Sequence, residues 1–245
     1  MKEMEIEKSE EPIEKCGYGR YQHRTLPPAQ GLYDPANEHD ACGMGFVVNI
    51  QGHKSHEIIR QGLTVLNNMT HRGASGSEVN TGDGAGIMLQ IPHTFLQKAT
   101  AGFVLPEPET YGVGMLFLSH DPGLQQQCKQ QLAQIVAEEG QHLLGWRAVP
   151  TNNRGLGEAA KAGEPSIHQV FIQQNSDLQH ADPQAFERKL YLIRKRAEHE
   201  IGPLMGDQPF YFAGLSSRTI VYKGMLTPEQ LKTYYPDLSD PEMVS

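Results

Sequence analysis

The spacing of apolar residues changes along the chain, and these changes mark out helices and strands. After residue 41, short apolar runs bounded by glycine or polar residues predict β-strands, and apolar residues three or four positions apart predict helices. Residues 1–41 follow neither pattern, because charged residues and then closely spaced glycines and prolines interrupt every apolar stretch. The predicted strands are residues 42–51, 86–91, 111–118, 143–149, 167–173, 210–213 and 219–222.

Helices are predicted between these strands, and three of them carry start signals. Ser55 is a suitable N-cap for the first helix, and Asp182 followed by Pro183 for the third. Residues 227–230 form a capping box with proline at N1. The last two strands, separated by one turn, are predicted to pair with each other. The irregular order of strands and helices favours an α+β fold in stacked layers over a doubly wound sheet. Helical spacing covers residues 58–69, 124–137 and 186–197.

Composition excludes several classes of protein. Of the 245 residues, 38% are hydrophobic, and no run approaches the ~20 apolar residues that a membrane span needs. The formal net charge of −8 argues against nucleic acid or an anionic membrane as the main partner. Three cysteines are too few for a disulfide scaffold, and the N-terminus lacks the apolar segment of a secretory signal. A cytoplasmic location is therefore predicted.

The first segment with candidate chemistry surrounds Cys42, which lies where the breaker-rich leader meets the first predicted strand. If the chain were cleaved before Cys42, this residue would carry both a thiol and a free α-amine. That amine has a pKa of about 7.7–8.0, which suits a general base at neutral pH. Gly43 and Gly45 would allow a close approach of backbone or substrate. The alternative is an ordinary buried strand cysteine.

The second segment joins the first predicted helix to the next strand and contains Arg72. Its guanidinium could hold a carboxylate with two hydrogen bonds, or it could face solvent near the helix C-terminus. The glycines at 82, 84 and 86 are spaced as in a nucleotide-binding loop, but such a loop should open a helix and this one precedes a strand. His53 and His56 lack further ligands, so no metal site is predicted. Basic residues between 188 and 196 indicate a solvated helix face.

Five stretches together resemble the N-terminal region of the glutamate synthase large subunit. They are LYDPANEHDACGMGFV, THRGASGSEVNTGDGAGIMLQIPH, FERKLYLIRKR, LSSRTIVYKGMLTPEQL and YYPDLSDPE, and they extend over residues 31–241. That region is a class II glutamine amidotransferase domain of the N-terminal-nucleophile hydrolase type. The resemblance implies a four-layer α-β-β-α sandwich. It also implies that residues 1–41 are a removed leader and that residues 42–245 are the N-terminal part of the amidotransferase domain.

The resemblance further implies a reaction and its partners. Cys42 would attack the side-chain amide of L-glutamine and form a γ-glutamyl thioester, with Arg72 beside the nucleophile to orient it. Ammonia would pass to the remaining domains of glutamate synthase, which make glutamate from 2-oxoglutarate. Those domains would carry FMN and an iron–sulfur cluster, whereas no cofactor is expected in this chain.

The family's glutamine-binding stretch and its Asn-Gly oxyanion pair do not occur in these 245 residues. We therefore expect a C-terminally incomplete domain that has the nucleophile without the full pocket. An alternative is a non-catalytic module, from a truncated or split gene, that folds with a partner chain. A further alternative is an acylase of the same superfamily that acts on a different amide.

Overall fold

The computed structural model describes residues 31, 43–72, 78, 80–100, 102–176, 182 and 184–245, without the side chain of Arg72. The chain divides into the units Met1–Asp40 and Ala41–Ser245. Every helix and strand given below belongs to the second unit. The proposed leader, apart from Gly31, lies outside the described residues.

Six strands in the described part of the chain form two antiparallel sheets. A two-stranded sheet pairs β1 with β6, and Ile87 lies opposite Tyr222. A four-stranded sheet has the order β3-β4-β2-β5. Helices and antiparallel sheets are thus combined as an α+β fold, which confirms the predicted class. The strands are β1 (Ala85–Gln90), β2 (Tyr111–Leu118), β3 (His142–Ala148), β4 (Ser166–Gln173), β5 (Phe210–Ser216) and β6 (Thr219–Gly224).

Capping side chains fix the starts of two helices. The Asp121 carboxylate accepts a hydrogen bond from the Leu124 N–H at 2.8 Å, and Gln230 accepts one from the Thr227 N–H at 2.9 Å. The second bond belongs to the predicted capping box, which is confirmed. The helices are α1 (His56–Asn68), α2 (His93–Ala99), α3 (Pro122–Glu138), α4 (Glu158–Ala162), α5 (Ala185–Glu200), α6 (Gly202–Met205) and α7 (Pro228–Tyr234), with short 3-10 turns at Thr70–Arg72 and Pro236–Ser239.

The four-stranded sheet separates two hydrophobic cores. Alternate residues of β2 face opposite sides of the sheet, so Val113 and Met115 enter one core while Leu116 and Leu118 enter the other. The smaller core lies between this sheet and helices α3 and α5. The larger core joins its other face to the two-stranded sheet, α1 and α7. Two sheets therefore lie between two sets of helices, in the layered order that was predicted.

The predicted strand at residues 42–51 is wrong over its described part. Residues 43–49 have no regular secondary structure, and no described strand pairs with them. The large apolar side chains of this stretch and of Ile50 after it are exposed instead: Met44 is 96% accessible and Ile50 is 99% accessible. The apolar run that predicted a buried strand is present in the sequence, but a strand also needs a neighbour to satisfy its backbone groups.

The predicted hairpin near the C-terminal end is also wrong. Both strands form, but β5 pairs with β2 and β6 pairs with β1. The chain crosses from one sheet to the other at Ser217, whose N–H and hydroxyl both donate to the Glu187 carboxylate at 2.6 Å. Glu187 belongs to α5, so this helix holds the turn in place. The chain therefore passes to the second sheet and does not fold back along β5.

No helix among the described residues combines the length and the apolarity needed to cross a bilayer.

Candidate active site

A cavity of about 1140 Å³ opens beside the segment that follows Cys42. Residues 43–47 form part of its lining, together with one face of α1 and the residues around β1 and β6. Most lining groups are apolar, and the charged ones are Asp83, Glu164 and Lys223. A cavity of this size can hold a small substrate with room to spare.

The two residues predicted to act in catalysis lie at the edges of the described ranges. Cys42 lies outside the described residues, and so does the side chain of Arg72, whose backbone ends the 3-10 turn after α1. Their neighbours Gly43 and Met69 both line the cavity. The roles of Cys42 and Arg72 therefore stay predictions.

Glycine at position 45 lets the segment after Cys42 lie directly against α1. A Cβ atom at this position would lie 2.5 Å from Cγ1 of Val65, well inside van der Waals contact. On the opposite wall, a Cβ at Gly86 would lie 2.7 Å from the Cβ of Lys223. The glycines around the cavity thus permit close packing. Gly86 lies within β1, so the glycine-rich segment leads into a strand, unlike a phosphate-binding loop.

We expect Gly45→Ala to lower the free energy of unfolding by about 1–3 kcal/mol, because the added methyl group overpacks the contact with Val65. Urea unfolding followed by circular dichroism measures this change. Gly155→Ala is the matched control, because a Cβ at Gly155 meets no heavy atom within 4 Å. Equal stability of the two variants would show that the segment does not rest on α1.

Two tyrosines form the far wall of the cavity. The Tyr234 hydroxyl donates to Glu164 at 2.8 Å, and the Tyr235 hydroxyl donates to the backbone carbonyl of Lys223 at 2.8 Å. Their rings meet edge to face with centroids 4.7 Å apart. Burial raises the pKa of both phenols well above the usual value. They therefore act as neutral hydrogen-bond donors at physiological pH.

A buried polar network supports this wall from behind. Arg147 on β3 donates to both carboxylate oxygens of Asp237 at 2.8 Å and to the side-chain oxygen of Gln169 at 2.9 Å. The Tyr222 hydroxyl accepts from Gln169 at 3.1 Å and donates to Asp237 at 3.0 Å. Arg147 and Asp237 expose only 9% and 4% of their side chains. The network joins both sheets to the 3-10 turn after α7.

Sequence reasoning missed this network and the tyrosine wall. The only signal was the stretch YYPDLSDPE, which contributed to the family resemblance without a role for any of its residues. An aspartate after a proline suggests an exposed turn, and nothing local indicates an arginine 90 positions earlier. Only the tertiary fold brings the two together.

The other candidates from the sequence have structural partners. His56 Nδ1 lies 2.8 Å from the carbonyl oxygen of Met243. No group of three metal-ligating side chains occurs within the described ranges. The basic residues of α5 form ion pairs with carboxylates, which favours their interpretation as a solvated helix face. Arg196 contacts Glu138, Glu139 and Glu200, Lys189 contacts Glu139, Arg188 contacts Asp182, and Arg194 and Lys195 contact Glu198.

Comparison with known families decides what this layered domain is. The family model for class-II glutamine amidotransferases matches residues 42–245. The chain belongs to this family. Its match begins at Cys42, the first residue of the predicted mature domain. The resemblance found in the sequence is therefore confirmed at the level of the amidotransferase family.

Curated relatives extend the comparison to whole enzymes. The chain is 48% identical over 223 residues to the glutamate synthase [NADPH] large chain of Bacillus subtilis, covering 91% of this chain and 14% of that protein. It is 42% identical over 226 residues to glutamate synthase [NADH] of Schizosaccharomyces pombe, covering 90% and 11%. It is 38% identical over 216 residues to ferredoxin-dependent glutamate synthase 2, chloroplastic, of Arabidopsis thaliana, covering 87% and 13%. The chain thus spans a small fraction of each of these relatives.

Proposed function

We propose that this amidotransferase domain hydrolyses the side-chain amide of L-glutamine, with Cys42 as an N-terminal nucleophile, and serves glutamate synthesis in the cytoplasm. The proposal requires removal of residues 1–41. The observation that carries it is the position of residues 43–47, which line the cavity immediately after Cys42. Cys42, the residue before this stretch in the sequence, would act on glutamine bound in the cavity.

The proposed chemistry needs one nucleophile and one base, and Cys42 would supply both. Its α-amine takes the thiol proton as sulfur attacks the amide carbon of glutamine. The amine then gives that proton to the departing nitrogen, which leaves as ammonia, and a γ-glutamyl thioester remains. Water hydrolyses the thioester to glutamate and restores the thiol. Arg72, at the end of the 3-10 turn after α1, would orient the nucleophile.

The ammonia would be used by the remaining domains of a glutamate synthase. Support comes from the relatives, which are glutamate synthases and are far longer than this chain. Those domains would make glutamate from 2-oxoglutarate and would bind this domain as their partner.

Mass spectrometry and covalent labelling test the proposal. We expect the purified protein to start at Cys42 and to gain the mass of one glutamine-analogue electrophile. The matched variant Cys42→Ala should remain unlabelled, whereas Cys128→Ala should be labelled like the wild type, because Cys128 is buried. An unprocessed chain that resists labelling would exclude the catalytic proposal for this protein.

The exposed apolar side chains after Cys42 favour a second candidate, a non-catalytic module that folds with a partner chain. Met44, Phe46, Val48 and Ile50 are all largely accessible, and such a row of side chains is typical of a surface that another chain covers. Labelling distinguishes the two functions. The module would bind the rest of a synthase without reacting with the electrophile, in either the free or the bound state.

A further inference from the structure

We infer that Lys223 and the partly exposed Tyr211 form a binding site for the carboxylate of a small molecule on the wall of the cavity. The Lys223 ammonium donates a hydrogen bond to the Tyr211 hydroxyl at 2.5 Å and lies 4.5 Å from the centroid of the same ring. Both residues line the cavity. The inference concerns binding alone and does not depend on the proposed catalysis.

Contacts along its length hold the lysine in one position. Its backbone carbonyl accepts the Tyr235 hydroxyl, and its Cβ lies over Gly86 of the neighbouring strand. Tyr211 then fixes the ammonium through both its ring and its oxygen. Ordering a lysine side chain costs conformational entropy. Because the contacts of Lys223 already position its ammonium at the cavity, an anion can bind there with little further loss of entropy.

The charge of Lys223 has no counter-ion among the described residues. No described carboxylate forms an ion pair with it. Glu164, on the same cavity, is occupied by the Tyr234 hydroxyl and the Asn153 amide, each at 2.8 Å. Because Tyr211 accepts from Lys223, its own O–H remains free to donate. An entering anion would therefore meet two adjacent donors, one of them charged.

The surroundings favour a carboxylate over a phosphate. Met88 and Phe117 line the cavity with the pair, and they suit the carbon chain of an organic acid. The class of ligand is thus a small organic acid with an aliphatic body.

Calorimetric titration of the purified protein with glutarate, its neutral analogue glutaramide and inorganic phosphate tests the inference. We expect glutarate to bind and glutaramide to bind at least about tenfold more weakly, since one charge-assisted hydrogen bond accounts for roughly that factor. Lys223→Met should weaken glutarate binding by at least about tenfold. Tyr211→Phe, which keeps the ring, should weaken it by a smaller factor.

Lys232→Met is the matched control, since Lys232 is exposed on α7, and it should bind glutarate like the wild type. Thermal melts of each variant establish that the fold is retained. Equal binding of glutarate by the wild type and Lys223→Met, or no binding by the wild type, would overturn the inference. Tighter binding of phosphate than of glutarate would overturn the assignment to carboxylates.

Discussion

Replacing Asp237 with asparagine is expected to lower the free energy of unfolding by about 3–5 kcal/mol, the usual effect of removing one partner from a buried ion pair. The substitution keeps the size of the side chain but leaves Arg147 charged and buried without a carboxylate. It also turns one acceptor of the network into an NH₂ group. In the position of Oδ1 that group would face the guanidinium, and in the position of Oδ2 it would face both the guanidinium and the Tyr222 hydroxyl, so neither geometry satisfies every member.

Chemical denaturation at neutral pH measures the effect, with Asp207→Asn as the matched control. Asp207 is exposed, so its substitution should change stability by less than about 0.5 kcal/mol. The double variant Arg147→Met with Asp237→Leu should recover part of the loss, because an apolar pair has no unpaired charge to bury. A loss below about 1 kcal/mol for Asp237→Asn would mean that the pair is not sealed from water.

A second large effect is expected on acidification, and it centres on His168. This residue on β4 is buried between α3 and the sheet, where Nδ1 lies 3.5 Å from the Lys129 ammonium and Nε2 lies 3.0 Å from the Ser166 hydroxyl. Burial, and then the nearby charge of Lys129, lower the pKa of His168 to about 4. A neutral ring can accept from Lys129 at Nδ1 and donate to Ser166 at Nε2, whereas a protonated ring would direct a proton at the ammonium.

The unfolded chain binds this proton near pH 6.5 and the folded chain only near pH 4. Between these values the unfolded state holds more protons, so stability falls as the pH falls through this interval. The contribution of His168 to the loss is about 3 kcal/mol when the interval has been crossed. Above pH 6.5 this group adds no pH dependence.

Unfolding by urea at a series of pH values isolates this contribution when the wild type is compared with His168→Gln. The variant should show a shallower loss of stability between pH 6.5 and 4, while the carboxylates, which titrate in both proteins, cancel in the difference. His142→Gln, at an exposed position, should follow the wild-type curve. Parallel curves for wild type and His168→Gln would contradict a buried neutral histidine.

The positions of strands and helices could be predicted where the signal lies within the residues of the element itself. The strand predicted at residues 111–118 matches β2 at both ends. This strand is buried on both faces, and such a strand shows a nearly continuous apolar run in the sequence. The capping box at Thr227 was equally local. Helix α5 begins at Ala185, a little later than the Asp182–Pro183 signal suggested, although Asp182 still accepts from the Gln184 N–H at 2.9 Å.

Pairing between elements was not predictable in the same way. Two strands joined by a short turn usually form a hairpin, but Glu187 on α5 holds the turn between β5 and β6, and its position follows only from the packed fold. The apolar run after Cys42 predicts a buried strand, but the described residues supply no partner strand for it. The candidate site shows the same difference between local and long-range signals. The glycine-rich segments predicted where the site lies, whereas the residues that support the cavity are distant from them in the sequence.

The buried network also constrains when the domain can complete its fold during synthesis. Arg147 and Gln169 are made 90 and 68 residues before Asp237. At a synthesis rate of 5–20 residues per second, Asp237 is made roughly 5–18 s after Arg147. During that time the guanidinium has to remain hydrated, so the space between the two sheets cannot close. A nascent chain stalled before Asp237 should therefore be cleaved by protease far more readily than one stalled after it.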